Sequence, residues 1–212
     1  MTQEQLFLVL VLAAGLLTLG YFRGRRINLG LARAIGSELE RTLHPKDQTY
    51  TWLGGVLGFR AEYRSNGAVP RVEATLTLLP RHSLLYLPVA RLLSGGDRLF
   101  VVAHPREPVR GEAHVIAASY RRRLGRLAGE SGWRRETVDA GGEVFEVVGG
   151  DPGTVAGLRD WLRSLPRPHH LRHLALVPRT GTLYLYLVPV RGEVKPIVES
   201  ALAWSGAAAA RG

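Results

Sequence analysis

The hydrophobic pattern changes character twice along this chain. From Leu6 to Phe22 (LFLVLVLAAGLLTLGYF) the residues are uncharged and, Thr18 apart, lack a polar face. From Asn28 to Leu43 the spacing is that of an amphipathic helix: Leu31, Ala32, Ile35, Leu39 and Leu43 fall on one side, Arg33, Ser37, Glu40 and Arg41 on the other. His44-Pro45 ends it, because the residue before proline is pushed out of helical geometry. Beyond that point the pattern alternates with the period of strands.

As a helix the first run reaches roughly 25 Å, and with Gln3 or Gln5 at the interface it crosses a hydrocarbon core of about 30 Å. Leu6, Phe7, Leu10, Leu12, Leu16, Leu17, Tyr21 and Phe22 are the expected lipid-facing positions of a single-pass anchor. Glu4 is the one charge before the run, whereas Arg23, Arg25 and Arg26 follow it, so the positive-inside bias puts the bulk of the chain in the cytoplasm. Two other readings stay open. A cleaved secretory signal would want a basic start and small residues after the apolar core, but the start is acidic and the core ends in Tyr21-Phe22-Arg23. A buried core helix of a soluble protein would normally show a polar face.

Strands are predicted over 50–53, 56–64 and 69–79, with a turn at Ser65-Asn66-Gly67, giving an antiparallel meander. Residues 83–94 read as a short helix despite Pro88, and 97–104 as a fourth strand whose apolar run Leu99 to Val102 is that of a strand covered on both faces. Residues 112–128 read as a helix burying Ile116, Tyr120, Leu124 and Leu127. Strands at 133–138 and 143–148 follow, then a helix started by Asp151-Pro152 with Val155, Leu158, Leu162 and Leu165 inward. Strands at 171–177 and 183–190 precede a last helix burying Val194, Ile197, Val198, Ala201 and Leu202. The expected class is α+β: a transmembrane helix, then a mixed, mainly antiparallel sheet with packed helices. Residues 1–26 form the anchor, 27–106 and 107–206 two α+β lobes related by duplication or halves of one continuous sheet, and 207–212 a frayed tail.

Charge and composition narrow the chemistry. Lys and Arg number 28 against 18 Asp and Glu, for a net charge of +10, and Lys46 and Lys195 are the only lysines. A basic body is drawn to anionic lipid or RNA, although a GC-rich genome produces the same arginine bias. Arg121, Arg122, Arg123 and Arg126 on the 112–128 helix, with Arg134 and Arg135 just after it, join Arg23, Arg25 and Arg26 as candidate contacts to an anionic surface. With no cysteine there is neither a disulfide nor a thiolate nucleophile. His169-His170-x-x-His173 lies after Pro166 and Pro168 at the start of a strand, so its imidazoles do not share a helical face, and an exposed loop is expected rather than a metal site. Phosphate-binding glycine loops and serine-hydrolase elbows are absent from the sequence. Neither cofactor nor catalytic residue is assigned. Tyr184 and Tyr186 share a strand face but sit among leucines, so they read as core rather than as a stacking platform for bases.

The order and spacing of Tyr21-Phe22-x-Gly24, Asn28-x-x-Leu31-Ala32, Leu39-Glu40, Tyr50, Gly58, Leu76-x-Leu78-x-x-Arg81-His82-Ser83-Leu84-Leu85, Ala90-Arg91 and Asp97 resemble the calumin family. That family comprises the coiled-coil-domain subunit of the endoplasmic reticulum PAT chaperone complex, and the resemblance covers about residues 21–104. It implies a membrane span beside a cytosolic α+β domain and a role in membrane-protein insertion at the ribosome-bound translocon. The family's acidic luminal region and long charged C-terminal helix have no counterpart here. Ribosome contact would therefore fall to Arg121 to Arg126 and Arg134-Arg135. The leading expectation is a non-enzymatic, membrane-anchored scaffold whose partners are the bilayer, other membrane proteins, translocase components or the ribosome. The alternatives are an anionic-lipid or RNA-binding module and an enzyme with an undisclosed pocket.

Overall fold

A computed structural model describes residues 2–107, 109, 111–125, 127 and 131–209. The apolar run and the amphipathic segment form one uninterrupted helix, α1 (Gln3–Leu43), capped by Thr2 at its start and by His44 in the left-handed conformation at its end. The two segments therefore belong to one helix, with no break at Gly24.

After α1 come β1 (Asp47–Trp52), β2 (Gly58–Arg64) and β3 (Arg71–Thr77), the predicted meander, then α2 (Leu87–Ser94) and β4 (Arg98–His104). The second half runs β5 (Ala113–Ala117), α3 (Ala118–Leu124), β6 (Arg134–Ala140), β7 (Glu143–Gly149), α4 (Pro152–Ser164), β8 (Leu171–Val177), β9 (Thr182–Leu187) and α5 (Val194–Ala209). All nine strands join one sheet in the order β1-β2-β3-β4-β9-β8-β5-β7-β6. Every neighbouring pair is antiparallel, so this α+β sheet is not mixed. The stretches 27–106 and 107–206 supply its two sides and meet where β4 pairs with β9.

Register explains why one face is the core. Phe59, Leu76, Leu99, Leu187 and Leu171 lie opposite one another across five strands, and α1, α4 and α5 cover that face with Ile35, Leu39, Leu158, Leu162, Ile197 and Val198. The alternate row, Thr75, Phe100, Tyr186, His173, Ile116 and Glu146, faces the other way because successive side chains of a strand point to opposite faces, and in β8 a register shift between Leu171 and His173 puts these two residues in different rows.

Several expectations need correction. Residues 112–128 are not one helix: Ala113–Ala117 is a fully buried strand between β7 and β8, and only Ala118–Leu124 is helical. β4 is not covered evenly on both faces, since Leu99, Val101 and Ala103 are buried while Phe100 and Val102 are half-buried on the opposite side. The helix predicted from Ser83 begins only at Leu87, with Pro88 in its first turn where its missing N–H costs nothing. At the C-terminus α5 runs through Ala209, and 210–212, part of the tail expected to fray, lie outside the described residues.

Candidate functional site

The apolar half of α1 stands clear of the sheet. Leu6, Phe7, Leu10, Leu12, Leu16, Leu17, Tyr21 and Phe22 are all exposed, from 40% at Tyr21 to 69% at Phe7. By length and composition this helix can cross a membrane, and the part that could do so is not buried in the protein.

The foot of this rod is locked to the body. A Cβ on Gly24 would overlap the backbone carbonyl of Arg81, so glycine lets the 79–84 loop lie directly against α1. One turn on, Asn28 is wholly buried, and its amide donates to the carbonyls of Val56 (3.0 Å) and Leu79 (2.8 Å). Its Oδ1 accepts from Arg81 Nη1 (3.1 Å), and Arg81 in turn forms a two-pronged pair with Asp97 (2.9 and 2.7 Å). Asp97 also accepts the N–H of Leu79 (2.8 Å). A planar guanidinium meeting a carboxylate on two parallel bonds fixes orientation as well as distance. Gly24, Asn28, Arg81 and Asp97, separate motif residues in the sequence, thus meet in one clamp.

Arg23, Arg25 and Arg26 are exposed just past the apolar run. Arg25, Arg26, Arg33 and Arg191 converge with Phe22, Leu29 and Gly30 on an open groove of about 450 Å³, where Arg191 crosses α1 at Gly30. No ion pair is formed by these four arginines among the described residues. Sequence reading missed Arg33 and Arg191, because Arg33 looked like one residue of a solvated helix face and Arg191 is remote in sequence.

The arginines of the second cluster differ in their surroundings. Arg121 pairs with Glu146 (3.1 Å) and is mostly covered, and Arg135 approaches the same carboxylate (3.8 Å). Arg134 pairs with Glu136 (3.0 Å). Arg122 and Arg123 are exposed, the latter with its guanidinium against Gly95 at the end of α2, while Arg126 lies outside the described residues. The strand at Ala113–Ala117 shortens the helix and turns Arg121 onto the sheet, which separates it from Arg122.

The sheet face away from α1, α4 and α5 carries a chain of rings. Phe100 packs on Tyr186 (centroids 4.9 Å) and Tyr184 (6.2 Å), Tyr120 of α3 meets Tyr186 edge-on (5.1 Å), and Tyr184 meets His173 (5.5 Å). His173 stacks on His114 with Nε2 and Nδ1 3.1 Å apart, and His114 stacks on Trp133. Tyr184 and Tyr186 are therefore not core residues, and His173 belongs to a buried pair rather than an exposed histidine loop. Its partner, 59 residues away, has no local signature. Burial, the neighbouring His114 and then Arg121 hold the His173 imidazole down to about 3, so it is neutral near pH 7. Burial pushes the Tyr184 hydroxyl up, with Tyr120 and Tyr186 adding to the effect.

Fold and site together define a protein with a long apolar N-terminal helix built into an antiparallel α+β body. Comparison with models of known families and with curated proteins gave no match for this chain.

Proposed function

We propose that this protein is a single-pass, membrane-anchored docking domain that holds its body at the cytoplasmic surface and receives partners there without catalysing a reaction. The observation that carries this reading is the unbroken passage of α1 from exposed apolar run to buried clamp. A tether alone would end in a flexible linker; a helix locked at Asn28 fixes the angle between bilayer and sheet. The cytoplasmic orientation rests on Arg23, Arg25 and Arg26. Its partners, on the strength of the resemblance over residues 21–104, are membrane proteins under assembly together with translocase or ribosomal components.

A second reading, headgroup binding without an assembly role, is favoured by the groove of Arg25, Arg26, Arg33 and Arg191. The two separate by experiment. Full-length protein resists extraction from membranes by alkaline carbonate, and a cysteine at Asn66, introduced into a chain that has none, reacts with impermeant maleimide only from the cytoplasmic side. Under the docking reading it also co-purifies in mild detergent with translocase or ribosomal components. Release by carbonate overturns the anchored docking reading, whereas binding to anionic lipid with no co-purifying protein leaves the second.

A further inference from the structure

The loop that clamps α1 leads into a surface the anchor does not account for. Leu84, Leu85, Tyr86, Val89, Leu92 and Leu93 are all exposed, with Leu85 at 80%, Leu92 at 82% and Leu93 at 72%. Among the other described residues outside α1, exposed large apolar side chains are scattered singly, at Trp52, Val144 and Val190. Here six occur within ten consecutive positions. Within α2, Val89 lies three and four residues before Leu92 and Leu93 and so shares a side with them, while Leu84, Leu85 and Tyr86 occupy the turn just before the helix. Ala90 alone in α2 is buried. A continuous apolar patch of this kind is covered by something in the working protein.

Its position identifies the cover. The Leu84 side chain sits on Gly20, where even one Cβ would overlap it, and Tyr21 meets His82 edge-on with ring centroids 5.9 Å apart. Gly20 lies inside the apolar run, two residues before its end, so the start of the patch is level with residues that occupy lipid in the anchored protein. The charges match as well. No acidic residue lies between Arg81 and Gly96. Three arginines gather around the C-terminal end of α2: Arg91 in its last turn, Arg98 donating to the carbonyl of Ser94, and Arg123 against Gly95. Cations at a helix C-terminus suit its dipole, and at a bilayer surface they meet phosphate.

We infer that α2 and the turn before it form a second membrane contact, an interfacial helix lying in the headgroup–acyl boundary beside the transmembrane segment with Leu85, Leu92 and Leu93 in lipid. It rests on the anchor reading above. Two contacts joined through the Asn28–Arg81–Asp97 clamp remove the body's freedom to rotate about the rod. Amphipathic helices bind at this depth through their apolar area and through attraction to anionic lipid.

The test uses full-length protein in vesicles of phosphatidylcholine and phosphatidylglycerol, with single cysteines at Leu85, Leu92, Leu12 or Asn66 carrying the fluorophore NBD. Asn66 lies at the far ends of β2 and β3, about 20 Å from the clamp. Nitroxide on shallow acyl positions should quench NBD at Leu85 and Leu92 as strongly as deep nitroxide quenches it at Leu12, with blue-shifted emission, and leave Asn66 unaffected. Quenching of Leu12 by lipid while aqueous iodide quenches Leu85 and Leu92 overturns the second contact and leaves the anchor intact. Shielding of Leu85 and Leu92 from both quenchers means that protein, either a partner or a second copy, covers the face, and it also overturns the inference. Absence of lipid quenching at Leu12 overturns the anchor and this inference with it.

Discussion

The Glu38 carboxylate on α1 caps the start of α5 at Val194. Oε2 accepts the N–H of Val194 (3.2 Å) and of Lys195 (3.3 Å), and Oε1 that of Gly192 (2.7 Å). The first N–H groups of a helix have no partner within it, and the dipole makes that end favourable for an anion. An anion from one helix thus seats α5 against the long N-terminal helix. Glu38 is almost fully buried, so water cannot replace it.

Glu38→Ala should cost about 3 kcal/mol, since three donors lose a charged acceptor in a buried setting. Glu38→Gln should cost less, because a carbonyl oxygen remains. Urea unfolding of the full-length protein in detergent micelles reads both, and a loss below about 0.5 kcal/mol for the alanine variant would show that α5 is seated by packing alone.

Gly24→Ala should destabilise by about 2 kcal/mol, because the new methyl group meets backbone rather than a movable side chain. Asn28→Ala should cost a similar amount by leaving the carbonyls of Val56 and Leu79 unmet and Arg81 short of one acceptor. Both changes loosen the rod from the body. Spin labels at Phe22 and Leu85 in the membrane-bound protein should show a broadened distance distribution in either variant; an unchanged distribution would mean the clamp does not set the angle.

Acid should weaken the fold through His173. Its imidazole is held at about 3 in the folded protein, against an ordinary value of 6.5, so the unfolded chain binds a proton more readily between those limits. Stability is therefore full above about pH 6.5 and falls as pH drops toward 3, by at most about 1.4 kcal/mol per pH unit from this group. The carboxylates of Glu62, Glu73 and Glu136 are held below 4.5 by their arginine partners and lose their contributions lower still. Unfolding midpoints between pH 6.5 and 5 report the histidines, to which His170, also lowered by burial, contributes beside His173. His173→Phe should flatten that slope, and an equally steep slope in the variant would assign the effect elsewhere.

Lipid co-purification tests the basic groove. Arg33→Glu with Arg191→Glu leaves Arg23, Arg25 and Arg26 to set orientation, yet removes half of the four guanidinium groups around the groove. Native mass spectrometry of the purified protein should show less bound phosphatidylglycerol than wild type, with a smaller loss on raising salt. Equal lipid retention would make the groove an incidental gathering of surface arginines.

The long apolar helix was legible because it is a local property: a run of apolar residues long enough to span lipid needs no distant partner to be recognised. Most strands and α4 were legible for the same reason, through period-two alternation and the cap at Asp151-Pro152. Residues 112–128 were not. Val115, Ile116 and their neighbours are apolar on every side, a pattern that a short central strand and a buried helix share. What settles Ala113–Ala117 as a strand is the open position between β7 and β8, created by segments that come later in the chain.

The clamp, the histidine pair and the arginine groove have the same origin. Asn28 and Arg81 stand 53 residues apart, Glu38 and Val194 stand 156 apart, and His114 and His173 stand 59 apart. Nothing in the neighbourhood of any of these residues names its partner, since polar groups are paired by the closing of the sheet rather than by spacing along the backbone. Sequence alone therefore established which segments are greasy, which alternate and where charge gathers. Only the packed chain decided that Tyr184 faces away from the core, that Leu84 reaches Gly20, and that Asn28 meets Arg81, because each of these depends on surfaces brought together from distant parts of the polypeptide.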